Sequence, residues 1–328
     1  MLSWLKRDAA PPANPGLLWL DEASAHRAIA KRAKARELSE DEVYNLEKFA
    51  TDGYFVIKLD VSEDDAASID ATVDRLWREK PRDVSVAYDT PPKRFADADE
   101  ARERKPRYRI HELHSASDVA LRLYLDRQLH RYASLILGET AVATQSLYFE
   151  FGSQQALHRD STIVPSPQFG RLVAAWIALE DIAPESGPLA YVPRSQRFPF
   201  YAFRENEYVY DPTHHTGDDV AKAVAFYDAE LQRSGLPTKQ FLAKRGEVLI
   251  WHSALMHGGA APANPEHTRK SFVVHYSTLA GQKTRECAVD ETIDGVRAES
   301  VFSTSEVLER DGAYGFANPL TGTFQYRR

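Results

Sequence analysis

The chain reads as an α+β, mainly β protein: a double-stranded β-helix (jelly roll) with N-terminal and flanking helices. Three observations predict this. Helix-period apolar spacing with capping signals dominates up to Gly138. Beyond it, short runs rich in β-branched and aromatic residues alternate with Gly, Pro and Ser breaks, which is the pattern of an antiparallel sandwich or barrel. A single helical stretch at about 218–233 interrupts those strands. A helical front half packed on a jelly roll accounts for all three in one structural domain. Residues 1–45 form its N-terminal helical extension and 46–328 the jelly roll proper.

Taken in order, residues 9–16 are a breaker-rich lead-in, expected to be extended. Residues 21–37, rich in Ala, Lys and Arg, predict a polar surface helix. Ser39 followed by Glu42 is a capping-box pattern; it opens a helix to about Ala50, with Val43, Leu46 and Phe49 on one face. Asp52-Gly53 turns the chain into a short apolar strand, Tyr54-Phe55-Val56-Ile57. Ser62 caps a second helix to about Glu79, whose Ala67, Ile69, Val73 and Trp77 favour one side. Residues 80–108 carry many charges and four prolines, which predicts a loop or lid rather than core, and 118–137 reads as helix ending at Gly138. Strands are then expected at 142–151, 171–179, 189–192, 240–243, 247–251 and 269–277.

Composition narrows the function. With 43% hydrophobic and 27% charged residues, the chain is an ordinary globular protein. A formal net charge of −7 argues against a nucleic-acid binder, because phosphate recognition needs clustered Lys and Arg. Cys287 is the single cysteine, so neither an intramolecular disulfide nor a cysteine-rich zinc site can form. The apolar stretch at the N-terminus is too short for a signal-peptide core. No window approaches the roughly 18 consecutive apolar residues of a membrane span. The expectation is a cytoplasmic protein acting on a small-molecule substrate, with no nucleic-acid or membrane partner.

His158-Arg159-Asp160 is the only His-x-Asp in the chain. On an extended strand, residues two apart point to the same side, so both can reach one ligand. Two His and one carboxylate on one face suit iron(II) and leave coordination positions open. Alone the tripeptide is weak, since about one is expected by chance in a chain this rich in His. The third ligand is sought at the end of an apolar strand, Gly246 to Gly259, which carries His252 and His257. His257 precedes Gly258-Gly259, where absent side chains let a ligand or metal approach the backbone. His252, inside the strand, reads as a satisfied, partly buried histidine, or as a partner that orients a ligand. Farther on, Arg269, Ser271, Val273 and His275 share one face of a β-patterned run. If Arg269 points inward it needs an anion, and a bidentate carboxylate is its natural partner. Otherwise it is a surface arginine at a strand start.

These motifs together resemble the phytanoyl-CoA dioxygenase family of iron(II)- and 2-oxoglutarate-dependent oxygenases. The resemblance rests on His158-x-Asp160, the Gly246-to-His252 lead-in, His257-Gly258-Gly259 and Arg269. It extends to Ala175-Trp176-Ile177-Ala178-Leu179-Glu180-Asp181, Glu185-Ser186-Gly187-Pro188-Leu189, Val192-Pro193-Arg194-Ser195-Gln196-Arg197 and the opening Asp52-Gly53-Tyr54-Phe55-Val56, over about residues 46–280. It implies that His158, Asp160 and His257 bind Fe(II), that Arg269 pairs with the distal carboxylate of 2-oxoglutarate, and that Trp176 lines the same pocket. Dioxygen would be the second co-substrate, and succinate and CO2 the by-products. The family often offers a hydroxyl two residues after the distal His, where this chain has Gly259. Its basic contact upstream of His-x-Asp has three candidates here, Lys105, Arg107 and Arg109, which read equally as surface charge.

Retention of Asp160 favours hydroxylation over halogenation, since related halogenases replace this carboxylate by Gly or Ala. Desaturation and ring formation stay open. So do a cupin-type metal protein that does not use 2-oxoglutarate, and a non-catalytic binding module. Gln154 or Gln155, in a turn ahead of His158, is expected at the pocket rim. The 80–108 loop and the 199–235 insertion, with Tyr201, Tyr208 and Tyr210, are expected to shape the substrate pocket, and the charged 100–109 stretch could meet an anionic substrate.

Overall fold

The computed structural model describes residues 18–81, 84–87, 93–94, 104, 107–164, 166, 168–205, 207–211, 215–280, 291–293, 296–298, 307–317 and 326–327. The lead-in at 9–16, Lys105 and Cys287 lie outside these residues.

The front half follows its capping signals. After a short 3-10 turn at Trp19–Asp21 come α1 (Ala25–Lys34), α2 (Glu40–Asp52), β1 (Tyr54–Lys58) and α3 (Glu63–Glu79). The Ser39 hydroxyl accepts from the Glu42 N–H while the Glu42 carboxylate accepts from the Ser39 N–H. Ser62 and Asp65 repeat the arrangement. Two N–H groups that the first helical turn leaves unpaired are thereby satisfied at each start. The expected helix at 118–137 is two: α4 (Asp118–Tyr124) and α5 (Arg127–Leu137). Asp126 breaks the run because its carboxylate caps Gln128 and Leu129, and Gly138 ends α5 at φ 73°.

Three strands at the charged segment, β2 (Ser85–Ala87), β3 (Lys93–Arg94) and β4 (Arg109–His111), precede β5 (Ala141–Phe149). One helical turn, α6 (Asp160–Ile163), separates β5 from β6 (Val173–Ala178) and β7 (Leu189–Tyr191). The expected insert is α7 (Gly217–Ser234), followed by β8 (Lys239–Phe241), β9 (Glu247–His252), β10 (His257–Gly259) and β11 (Ser271–Thr278). Five short strands follow: β12 (Glu291–Ile293), β13 (Val296–Ala298), β14 (Val307–Arg310), β15 (Ala313–Phe316) and β16 (Tyr326–Arg327). The large sheet runs β1-β9-β6-β11-β5-β4-β2-β3, with β15 joining β5 and β14 pairing β15; β10-β7-β8 form a small sheet and β12-β13-β16 another.

Alternation along the central strands explains why they read as unbroken apolar runs. Val248 and Ile250 of β9, Ala175 and Ile177 of β6, and Phe272, Val274 and Tyr276 of β11 pack in one core with Leu46, Phe49, Ile69, Val73, Leu129 and Ile136 of the helices. Leu249 and Trp251, Ala174 and Trp176, and Val273 turn the other way, against Leu189, Tyr191 and Phe241 of the small sheet. With both faces covered, both parities must be apolar. This is a jelly roll of two facing sheets, with helices layered on the outer face of the larger one. Among the described residues no helix is long and apolar enough to cross a membrane.

Two expectations need correction. The 80–108 segment is not all loop: Val84, Val86 and Tyr108 are buried, because β2 and β4 extend the large sheet with Val86 opposite Ile110. The α1 helix is polar outward, but Ala25 and Ile29 are fully buried in the helical core.

Candidate metal centre

The strand ends and short turns between the two sheets bring His158, Asp160 and His257 together. The backbones of His158 and His257 bridge: His158 N–H donates to the His257 carbonyl at 2.9 Å, and His257 N–H to the His158 carbonyl at 3.0 Å. Their ring centroids lie 4.4 Å apart. Asp160 does not continue a strand, as the sequence suggests, but opens the turn α6. Same-side placement survives because Arg159 between them is extended, φ −118° and ψ 131°. Asp160 Oδ1 is 3.4 Å from His257 Nε2 and 3.7 Å from His158 Nε2. The three ligand atoms all lie within 4.8 Å of one another.

The tautomers are set by the backbone. His158 Nδ1 faces the Ala156 carbonyl at 2.8 Å and His257 Nδ1 the Leu255 carbonyl at 2.9 Å. Each Nδ1 must therefore carry the hydrogen, and each Nε2 presents its lone pair to the shared centre. Burial, then the neighbouring His257, pushes the His158 imidazole down to about 4. Burial opposes charge on His257 as well, but Asp160 outweighs it and raises that imidazole. The Asp160 carboxyl is buried too, yet His257 and His275 hold it well below the usual range. A deprotonated carboxylate between two Nε2 acceptors fits a divalent first-row metal such as iron.

The glycine pair has a different cause from the one the sequence suggests. A Cβ on Gly258 would lie 2.6 Å from the Gln155 carbonyl oxygen, and one on Gly259 2.6 Å from Ser153 Oγ. What approaches these glycines is the chain leading to His158, not a ligand. Gln154, at φ 51°, and Gln155 are both half-buried in that chain.

Arg269 points inward, 2% exposed. Its Cζ lies 5.7 Å from the Trp176 ring centroid and 6.0 Å from that of Phe149. Nη1 donates to the Gly187 carbonyl at 3.3 Å, and Nε has no partner among the described residues. Burial alone pulls the guanidinium down to about 10, with no charged group among the described residues acting on it. Trp176, 1% exposed, likewise leaves its Nε1 unpartnered. An enclosed cation with open donors beside an indole is a cradle for a carboxylate.

Of the upstream basic residues, Arg107 is exposed at φ 82°. Arg109 is half-buried on β4, and its charge reaches His158. Its neighbour His111 is buried with both ring nitrogens unpartnered, beside Arg109 and His275. Tyr201, Tyr208 and Tyr210 are half-buried. Tyr208 packs with Phe169 and Phe200, and the Tyr210 N–H donates to Thr162 O of α6 at 2.7 Å.

His252 is turned away from the triad. Its Nε2 meets Asp21 Oδ2 at 3.1 Å, and its Nδ1 accepts from the Ala254 N–H at 2.9 Å. It is fully buried rather than partly so, and it orients no ligand. The adjacent Trp251 does touch the centre, donating from Nε1 to Asp160 Oδ2 at 2.8 Å. Strand parity could have found it, because an outward His252 requires an inward Trp251. Arg159 was also missed. By the same parity it faces away from the triad, donating to the carbonyls of Ser195, Phe198 and Pro199 at 2.5, 3.0 and 3.2 Å. It fastens that segment to the chain that carries His158 and Asp160.

A mouse (Mus musculus) protein, phytanoyl-CoA dioxygenase domain-containing protein 1, is 24% identical over 144 residues, covering 43% of this chain and 46% of the relative. The chain thus spans about half the length of the curated relatives it matches. Among solved structures, the carbocyclase SnoK from nogalamycin biosynthesis superposes with a TM-score of 0.54 at 17% identity, over 82% of this chain and 96% of that one. EctD from S. alaskensis, solved with 2-oxoglutarate and 5-hydroxyectoine, gives 0.51 at 21% identity, over 85% and 87%. At such identities the likeness is one of fold. The family model for phytanoyl-CoA dioxygenase (PhyH) matches residues 49–271, more than half of the 328. The chain therefore belongs to the phytanoyl-CoA dioxygenase family.

Proposed function

We propose that this chain is a non-haem iron(II)- and 2-oxoglutarate-dependent dioxygenase that hydroxylates a small-molecule metabolite and releases succinate and CO2. Residues 46–328 carry the activity, with 1–45 as an extension. The observation that carries the reading is Arg269: a buried guanidinium with no charged partner among the described residues, beside Trp176, which shares one apolar cluster with the Trp251 that bonds Asp160. A cupin-type metal protein would have no use for that cation. The 2-oxoglutarate in the EctD structure supports the same co-substrate here.

His158, Asp160 and His257 would hold iron(II), which supplies oxygen activation coupled to oxidative decarboxylation of 2-oxoglutarate. Arg269 would take the distal carboxylate of the co-substrate, with Trp176 lining that end. The aromatic groups Phe169, Phe200 and Tyr208, together with Arg109 and His111, would bound the substrate end and limit water. SnoK is a carbocyclase, so the fold serves more than one outcome; retention of Asp160 favours hydroxylation over halogenation and does not bear on ring formation.

The test is a visible-absorption titration with iron(II) and 2-oxoglutarate under anaerobic conditions. The wild-type protein and His252→Ala should develop the weak metal-to-ligand band; His158→Ala, Asp160→Ala and His257→Ala should not. If His252→Ala removes the band and His257→Ala keeps it, the ligand assignment is wrong. Stimulated succinate release across a panel of small metabolites would then identify the substrate.

A further inference from the structure

We propose that Trp251 is a positioning residue for Asp160: its indole N–H ties down Oδ2, so that Asp160 offers Oδ1 alone to the centre it shares with His158 and His257. The inference rests on reading the triad as a metal site. The two oxygens of this carboxylate stand in different surroundings. Oδ1 faces His257 Nε2 at 3.4 Å and His158 Nε2 at 3.7 Å. Oδ2 accepts from Trp251 Nε1 at 2.8 Å, and His275 Nε2 approaches the same oxygen at 3.6 Å, beyond hydrogen-bond range.

The indole is itself fixed. Trp251 is buried, opposite Tyr54 on one side and Ala174 on the other. The small Ala174 leaves room for the ring, whose centroid lies 4.6 Å from that of His257. A carboxylate free to swing can present both oxygens to a cation and so take an extra coordination position. A charge-assisted N–H···O bond at a buried site is among the stronger hydrogen bonds, and outer partners of this kind orient ligands. Here the geometry leaves one oxygen available and places it on the side of the two Nε2 atoms.

Co(II) titration of the metal-free protein tests this with a readout other than turnover. Trp251→Phe keeps an aromatic ring and removes the donor; its Co(II) Kd should rise by roughly 10- to 100-fold, with altered visible-band intensity as the carboxylate gains freedom. Phe272→Leu thins the opposite face of the same sheet and serves as the packing control. It should lower the thermal midpoint and leave the Kd unchanged. If Trp251→Phe fails to fold, a benzothiophene isostere at position 251, lacking only the N–H, should reproduce the loss of affinity. Unchanged Co(II) binding in the Trp251 variants, with normal binding in the wild type, overturns the inference and leaves the metal reading standing. An equal loss in Phe272→Leu overturns it too, as generic loosening. Wild-type protein that binds no Co(II) brings down both.

Discussion

Replacing Arg269 by Met should move stability and co-substrate affinity in opposite directions. The guanidinium is fully enclosed, and burial alone takes it from its ordinary value down to about 10. Both values lie above neutral pH, so the group is charged in the folded and the unfolded chain, and folding bears the desolvation cost. At about 1.4 kcal/mol per pH unit, that cost is of the order of 3 kcal/mol. The bond from Nη1 to the Gly187 carbonyl, long at 3.3 Å, offsets about 1 kcal/mol of it. Met fills similar volume without charge, so the ligand-free variant should gain roughly 2 kcal/mol and melt several degrees higher. Binding should show the reverse. Truncating one side of a buried charge pair costs about 2–5 kcal/mol, or roughly 30- to 4,000-fold in Kd. Thermal unfolding without ligand and the iron(II)–2-oxoglutarate absorption titration measure the two effects separately. A variant that is less stable and still binds 2-oxoglutarate like wild type would refute the assignment and make Arg269 a structural residue.

Two further outcomes follow from the same geometry. Burial, then Arg109 and His275, pushes the His111 imidazole down to about 3, so the unfolded chain takes up a proton near 6.5 that the folded chain refuses. Stability from this group is therefore present above 6.5 and lost as pH falls towards 3, at up to about 1.4 kcal/mol per pH unit. His111→Phe should flatten that part of the profile by one proton in urea unfolding series, whereas an unaltered slope would mean His111 is not held neutral. Gly258→Ala would place a methyl 2.6 Å from the Gln155 carbonyl oxygen and 3.0 Å from that of Ala156. Because backbone cannot yield as a side chain can, the variant should lose about 1–3 kcal/mol and bind Co(II) more weakly as His158 is displaced. Wild-type values in both measurements would count against the bridge as the support of the site.

Much of the fold was legible because its signals are local. Ser39 with Glu42 and Ser62 with Asp65 cap helices within four residues of chain, and the β-rich runs after Gly138 became strands within a residue or two of the expected bounds. What misled was also local. Residues 80–108 look like loop because charge and proline dominate the window, yet Val86 finds Ile110 across a sheet edge, a pairing that no short window records. Breaking the 118–137 helix at Asp126 was readable in hindsight, since an Asp there can cap the next turn.

For the site, the residue types and their order along the chain were enough to nominate His158, Asp160, His257, Trp176 and Arg269. Tertiary structure decided which atoms meet. It turned His252 outward to Asp21 and Trp251 inward to Asp160, gave the glycine pair to the neighbouring chain, and buried Arg269 with no charged partner among the described residues. The division has a physical cause. Capping and periodicity are energies between groups a few residues apart, whereas burial, desolvation and hydrogen-bond pairing depend on which distant surfaces close over a side chain.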